Sequence, residues 1–285
     1  MTMPRSPLAS APASVRMAFD LSGRTAVITG GAGLLGQRHA AAVAEMGATP
    51  ILVDSNITAA RQIAEQIAAR YGVAAAAYGI DITDSQQVDE LAAELRARGN
   101  VDILINNAAR NPKVEDGNIN FSRLENFPLS EWQNDIAVGL TGAFLLSRTF
   151  GEDMARQGKG VILNVASDLA VIAPDQRLYR KDGVPETQQP VKPVTYSVVK
   201  AGLIGLTRYL STYWINRGVR CNAISPGGVY AGQDEVFLSR IEQLIPLGRM
   251  AHRDEYKAAI VFLVSDASSY MNGANLIVDG GRTSW

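Results

Sequence analysis

Cysteine is almost absent: Cys221 stands alone among 285 residues, so no internal disulfide is expected. Histidine is nearly as scarce. His39 and His252 show no ligand-like spacing, and a metal site built from the chain's own side chains is not expected. No apolar run approaches the ~18 residues needed to span a bilayer. Charge of either sign lacks an excess, with 27 Lys and Arg against 28 Asp and Glu, a net charge of -1. Such a balance offers no broad attraction to nucleic acid or to a membrane surface, and a small-molecule ligand is the better expectation. Residues 1–20 are rich in Ala, Ser and Pro, lack the apolar stretch of a secretory signal, and read as a disordered tail or as residues before a true start at Met17, a transit peptide being the other reading. The expected compartment is the cytoplasm.

What the chain does contain is glycine, 26 residues of it, and a 47% hydrophobic content ample for one large core. Thr25-Ala-Val-Ile-Thr29 has the form of a buried strand and runs into Gly30-Gly31-Ala32-Gly33-Leu34-Leu35-Gly36, then into an Ala-rich helical pattern through Met46. Glycines at 31, 33 and 36 let a backbone turn sharply and approach a diphosphate at a helix N-terminus. The alternative is a tight turn without a ligand. Pro50 to Asp54 reads as a second strand ending in an acid about twenty residues past the glycines, where a carboxylate can accept both hydroxyls of an adenosine ribose and repel a 2′-phosphate. NAD is therefore expected over NADP, although Asp54 could instead cap the helix beginning near Ile57.

Strand and helix patterns then alternate without an internal repeat or a dividing linker. Helices are predicted over Ile63 to Ala69, Ser85 to Arg98, Ser130 to Met154 with Ser130 as N-cap, and about Asp254 to Val264. Strands are predicted near Ala74 to Tyr78 and over Val101 to Ile105, Val161 to Val165, Val219 to Ile224 and Asn275 onward. The expected fold is α/β: a single domain, residues 21–285, with a doubly wound parallel sheet and helices on both faces. Ser167 falls just past a strand's carboxyl end, the edge where ligands bind in such sheets; a turn or cap serine is the other reading.

Tyr196-Ser-Val-Val-Lys200 places a phenol and an ammonium four residues apart, on one face of a helix. Free tyrosine, with a pKa near ~10, is a poor acid or base at neutral pH. A lysine roughly 4 Å away could lower it by up to about three units at an effective dielectric of ~20.

Together these segments resemble the short-chain dehydrogenase/reductase family from about Leu21 to the end. The marks are Thr29 to Gly36, Asp54, Asp81-Ile82, Asn106-Asn107-Ala108-Ala109, Ser167, Tyr196 to Lys200, Pro226-Gly227 and Val278 to Gly281. Within it, Ser130 to Phe150, Ala173 to Lys181 and Gln189 to Tyr196 resemble the flagellin modification protein A subgroup, associated with surface sugars of the legionaminic acid type. The resemblance implies an NAD(P)-dependent oxidoreductase that interconverts a secondary alcohol and a ketone, on a sugar or sugar-acid derivative. Tyr196 would be the acid/base, Lys200 its partner on the nicotinamide ribose, and Ser167 the holder of the substrate oxygen. Gly30, Gly31, Gly33, Leu34, Leu35 and Gly36 would lie along the cofactor, with Asp54 on its ribose and Asp81 and Ile82 at its adenine. Asn107, Ala108 and Ala109 would follow its length, and Pro226, Gly227 and Val229 would border the nicotinamide. A homodimer or homotetramer is implied as well.

Two positions depart from the family pattern. Leu34 replaces a usual glycine, a spelling also seen in sugar-nucleotide epimerases, and Gly139 replaces the asparagine that helps a water relay protons behind the lysine. The second departure motivates an alternative, a dinucleotide-binding sensor or scaffold with reduced or lost catalysis. Ser167 and Tyr196 also lie farther apart than usual, so about 172–193 reads as an insertion over the site. Its Arg177, Arg180, Lys181 and Lys192, with Arg110 and Lys113, suggest an anionic sugar substrate, a solvated basic loop being the other reading.

Overall fold

The computed structural model describes residues 14–110 and 122–285. Lys113 lies outside the described residues. In chain order the elements are α1 (Val15–Ala18), β1 (Thr25–Thr29), α2 (Gly36–Glu45), β2 (Thr49–Val53), α3 (Ile57–Tyr71), β3 (Ala76–Tyr78), α4 (Ser85–Arg98) and β4 (Ile103–Asn106). There follow α5 (Leu129–Ile136), α6 (Gly142–Gln157), β5 (Gly160–Val165), α7 (Val194–Tyr213), β6 (Val219–Pro226), α8 (Glu235–Glu242), α9 (Lys257–Val264) and β7 (Asn275–Val278). The strands form one parallel sheet in the order β3-β2-β1-β4-β5-β6-β7.

Central strands such as Ile103–Asn106 and Gly160–Val165 are buried along their whole length, because helices cover both faces. Alternate residues feed two cores. Ile28, Leu52, Ile105 and Leu163 meet α2, α3 and α9 on one face, while Val27, Leu104, Ile162 and Cys221 meet α4, α6 and α7 on the other. The strand order reverses between β1 and β4, and the crevice at their carboxyl ends is where such sheets receive ligands.

Several boundaries differ from the sequence expectation. The helix predicted over Ser130 to Met154 is two helices joined by a π-helical turn at 137–141, and Pro128, not Ser130, occupies the N-cap position. Proline fixes φ there and starts the helix earlier. The helix beginning at Ile57 runs to Tyr71, past Ala69, and it is the Asn56 side chain, not Asp54, that caps it by accepting a hydrogen bond from the Ala59 amide. The helix expected from Asp254 begins at Lys257. Of residues 1–20, the described part includes α1, capped by Ser14, and the Phe19 ring lies 6.4 Å from that of Phe262. The expected insertion carries two short 3-10 turns, Gln176–Tyr179 and Glu186–Gln188, and Leu178 joins Ile241, Ile245 and Met250 in a small third core.

His39 on α2 is buried, and burial pushes its pKa down to about 4, opposed by the nearby Asn107 side chain. Between pH 6.5 and about 4 the unfolded chain binds a proton that the folded one refuses, so stability falls as pH falls through that window. At ~1.36 kcal/mol per unit the loss approaches about 3 kcal/mol. Urea midpoints at pH 7 and pH 4.5 should show the His39→Leu variant losing distinctly less than the unmodified protein; equal losses would contradict this.

Candidate active site

Three neighbouring strand ends supply the groups. At the end of β1, Thr29 Oγ1 accepts the amides of Asn107 and Ala108, each at 3.0 Å. Asn107 Nδ2 donates in return to the carbonyls of Thr29 (2.9 Å) and Gly30 (3.2 Å). Asn107 thus braces the glycine turn against β4. Ala108 and Ala109 follow it along the crevice.

At its glycines the turn has little room beyond backbone. Gly30 adopts φ +61°, and a Cβ on Gly36 would stand 2.0 Å from the Gly30 carbonyl oxygen. A Cβ on Gly31 would stand 2.8 Å from Leu52 Cβ, whereas one on Gly33 meets the Gly30 oxygen at 3.1 Å. Leu34 is exposed, so its side chain crowds nothing and glycine is not required there. The first amides of α2, at Leu35 and Gly36, open onto this cradle, as a dinucleotide diphosphate requires. The residues present therefore fit a dinucleotide.

Asp54 borders the turn. Its Oδ2 accepts the Ala32 amide at 3.0 Å and its Oδ1 the Asn56 amide at 2.9 Å, so it holds the turn to the start of α3 while Asn56 does the capping. Asp81 folds onto Thr83, accepting from its amide and hydroxyl at 2.9 and 2.8 Å, and Ile82 packs where a Cβ on Gly142 would lie 2.8 Å away. On the other side of the crevice, the Gly227 amide donates to Val278 O at 2.9 Å and Val229 bridges Ala251, which extends the edge begun by Pro226.

The chemistry-bearing pair sits on α7. Lys200 is buried and its Nζ donates to the Val165 carbonyl at 2.7 Å, tying the helix to the end of β5. Burial first, and the neighbouring Lys192 second, bring its pKa down to about 8. The Tyr196 phenol is raised above its ordinary value: burial dominates, a hydrogen bond with Ser167 opposes it, and the charge of Asp168 adds to the rise. The expected lowering by Lys200 is thus not found in the protein alone. The ammonium stands 5.9 Å from the ring centroid and is turned to a carbonyl. Lys192 lies nearer, its Nζ 3.9 Å from that centroid.

Ser167, buried after β5, donates to Asp168 Oδ1 at 2.8 Å and accepts the Leu169 amide at 3.2 Å. It caps a 3-10 turn, the other reading its sequence position allowed, and its hydroxyl lies within hydrogen-bond reach of Tyr196. Behind it Asp168 Oδ2 pairs with Arg282 Nη1 at 2.9 Å, both side chains buried. Asp168 and Arg282 were not among the residues singled out in the sequence, whereas Lys192 was, as one of the basic residues expected to face an anionic substrate. Nothing local marks Asp168 and Arg282 as partners, although Lys192 stands only four residues before Tyr196.

The basic residues expected to meet a substrate are placed differently. Arg110 pairs with Glu131 (3.0 Å) and lies 3.4 Å from Asp135, Arg177 pairs with Asp175 (2.6 Å), and Arg180 pairs with Glu186. Arg180 and Lys181 line a separate cleft of about 280 Å³ between the insertion and α8. At Gly139, a Cβ would fall 2.5 Å from Val199 Cγ1, so a side chain there would require the valine, the residue before Lys200, to move.

A Tyr-Lys-Ser cluster beside a glycine turn, at the switch point of a parallel sheet, defines a nicotinamide-dependent oxidoreductase site. A short chain dehydrogenase model matches residues 24–179, and an enoyl-(acyl carrier protein) reductase model matches residues 184–283. The chain belongs to the short-chain dehydrogenase/reductase family. It is 35% identical to D-threitol dehydrogenase of Mycolicibacterium smegmatis, over 95% of this chain and 96% of that one. It is 33% identical to galactitol 2-dehydrogenase (L-tagatose-forming) of Cereibacter sphaeroides, over 95% and 99%. The crystal structure of a gluconate 5-dehydrogenase from Burkholderia cenocepacia, in complex with NADP and tartrate, superposes with a TM-score of 0.83 at 29% identity, covering 95% of this chain and 100% of that one.

Removing one member of a buried ion pair strands the other charge, at a typical cost of about 3–5 kcal/mol. Arg282→Met is expected to lose that much in urea unfolding at pH 7, and Asp168→Asn with Arg282→Met to lose less than Arg282→Met alone. A double variant as unstable as the sum of the single ones would show that the pair is not coupled.

Proposed function

We propose that this enzyme interconverts a secondary alcohol and a ketone on a polyol or sugar acid, with NAD as its cofactor. The observation that carries the reading is the Ser167–Tyr196–Lys200 cluster at the end of β5, facing a cradle that admits only backbone at Gly36. A nicotinamide supplies the acceptor or donor of a hydride. The chain's own residues handle the proton and the orientation. Ser167 holds the substrate oxygen, and Tyr196 takes the hydroxyl proton during oxidation or returns one during reduction. Lys200 stabilises the phenolate by its charge and binds the nicotinamide ribose; Asn107 keeps the turn and β4 in step.

Asp54 is the argument for NAD. A carboxylate accepts and never donates, so beyond the Ala32 and Asn56 amides it has lone pairs for ribose hydroxyls and would repel a 2′-phosphate. Arg38, the nearest candidate to offset that repulsion, lies 3.5 Å from Asp254. The substrate class rests on the named relatives and on the carboxylate partners of Arg110, Arg177 and Arg180, which weaken the case for a sugar phosphate. A role on sugars of the legionaminic acid type, as in the flagellin modification protein A subgroup, is a narrower form of the same reading. So is action in the cytoplasm. A homodimer or homotetramer is also proposed, supported by exposed Phe144 on α6 and exposed Tyr209 and Tyr213 on α7.

Purified protein with D-threitol, galactitol and gluconate should change absorbance at 340 nm with NAD for at least one substrate; silence across the panel with both NAD and NADP would sink the reading. Tyr196→Phe should lower kcat by about 10²–10⁴ while NADH still binds by fluorescence. Asp54→Ser should shift the NAD to NADP ratio of kcat/KM by roughly tenfold or more towards NADP, about 1.4 kcal/mol. Light scattering at micromolar concentration should give a dimer or tetramer mass; a monomer would refute the assembly.

A further inference from the structure

Beside the Tyr196–Lys200 pair, away from the glycine turn, lies a cavity of about 10 Å³ lined by both residues together with Arg110, Asp135, Gly139 and Val199. That volume is at the lower limit for one water molecule. Position 139 carries no side chain to fill it, and a Cβ there would meet Val199 Cγ1 at 2.5 Å. The walls are polar and incompletely satisfied. Asp135 is buried on α5, and its Oδ2 accepts a hydrogen bond from Thr195 Oγ1 at 2.5 Å. Its Oδ1 accepts none among the described residues. Arg110 Nη1 stands 3.4 Å from that oxygen and likewise makes no aligned hydrogen bond.

Leaving a buried acceptor unmade costs about 1–3 kcal/mol, more for a charged one, so a group that satisfies it is strongly favoured. An ammonium carries three donors, and Lys200 commits one of them to the Val165 carbonyl. A water in this space, donating to Asp135 Oδ1 and accepting from Lys200 Nζ, would have the two to four partners that buried waters need.

We propose that Asp135 is a positioning residue for the Tyr196–Lys200 pair, acting through one water held in the cavity beside Gly139. The inference rests on the oxidoreductase reading above. Through the water, the Asp135 carboxylate fixes the direction of the lysine's remaining donors, so that the phenol can lose its proton. During oxidation the hydroxyl proton goes to the phenolate of Tyr196 and the hydride, with its electron pair, to the nicotinamide; Asp135 exchanges neither. The other charges that face the pair are Lys192 over the phenol ring, Arg110 backed by Glu131, and Asp168 backed by Arg282.

The test is Asp135→Asn in the full chain, which preserves shape and an acceptor for Thr195 while removing the charge. For a polyol turned over by the unmodified enzyme, the acid limb of the kcat profile in the oxidation direction should move up by about one pH unit. At pH 7 kcat should fall by about tenfold, with KM and NADH affinity nearly unchanged. A uniform loss of kcat without movement of the limb would reduce Asp135 to a packing role and overturn the proposal. Diffraction from the unmodified protein with NADH supplies a second arm that needs neither turnover nor a stable variant. A water within hydrogen-bond distance of both Asp135 Oδ1 and Lys200 Nζ supports the proposal, and a direct contact between them or a dry cavity overturns it. Failure of the substrate panel with this water present would instead count against the polyol reading alone.

Discussion

The bond between Lys200 Nζ and the Val165 carbonyl is the constraint on which the site depends. An ammonium does not enter a protein interior unless something there accepts its hydrogen bonds. The last carbonyl of β5 does so, and it thereby fixes how far along its axis α7 sits against the sheet. With that register set, Tyr196, one turn earlier, comes beside Ser167, which leaves the same strand two residues after Val165. The burial that lowers Lys200 to about 8 also raises the phenol. The protein alone therefore holds the phenol in its protonated form, and ionising it depends on the charges assembled around it.

The strand ends are kept in step by polar side chains where apolar ones would pack as well. Asn106 Nδ2 donates to Ser147 Oγ at 3.0 Å and to Asn164 Oδ1 at 2.8 Å, and Asn164 Nδ2 donates to Thr207 Oγ1 at 2.8 Å. This buried chain crosses β4 and β5 and reaches α6 and α7. Its donors are paired, while Asn106 Oδ1 is left without a partner among the described residues. The Thr29–Asn107 brace likewise keeps β1 and β4 in step, one strand nearer the glycine turn.

The insertion is built as a body of its own that docks on α8. Gln189, buried, accepts the Lys181 amide and donates to the carbonyls of Lys181 and Val184, which closes the segment on itself. Arg240 on α8 donates to the carbonyls of Arg177, Leu178 and Arg180, and the Tyr179 and Phe237 rings meet at 5.8 Å. Its arginines are consumed in holding shape, whereas Lys192, at its end, is delivered onto Tyr196.

The order of strands and helices, the glycine turn, the acid after β2 and the Tyr196–Lys200 pairing on one helix were all legible in the residues themselves, because each depends on periodicity or backbone freedom within a few positions. The start near Ile57 is legible in the same local terms, and so is the one at Pro128, although Ser130 has the more usual capping side chain. Charge partners were not. Arg110 reads as a substrate ligand until packing brings Glu131 and Asp135 against it, and Asp168 meets Arg282 across 114 residues of chain. Gly139 reads only as a departure from the family pattern until Val199 Cγ1 is found where a side chain at 139 would begin. A side chain's charge and length are written in the sequence, but what it touches and how much water remains around it follow from distant elements packed together, and these set the direction of the Tyr196 and Lys200 shifts.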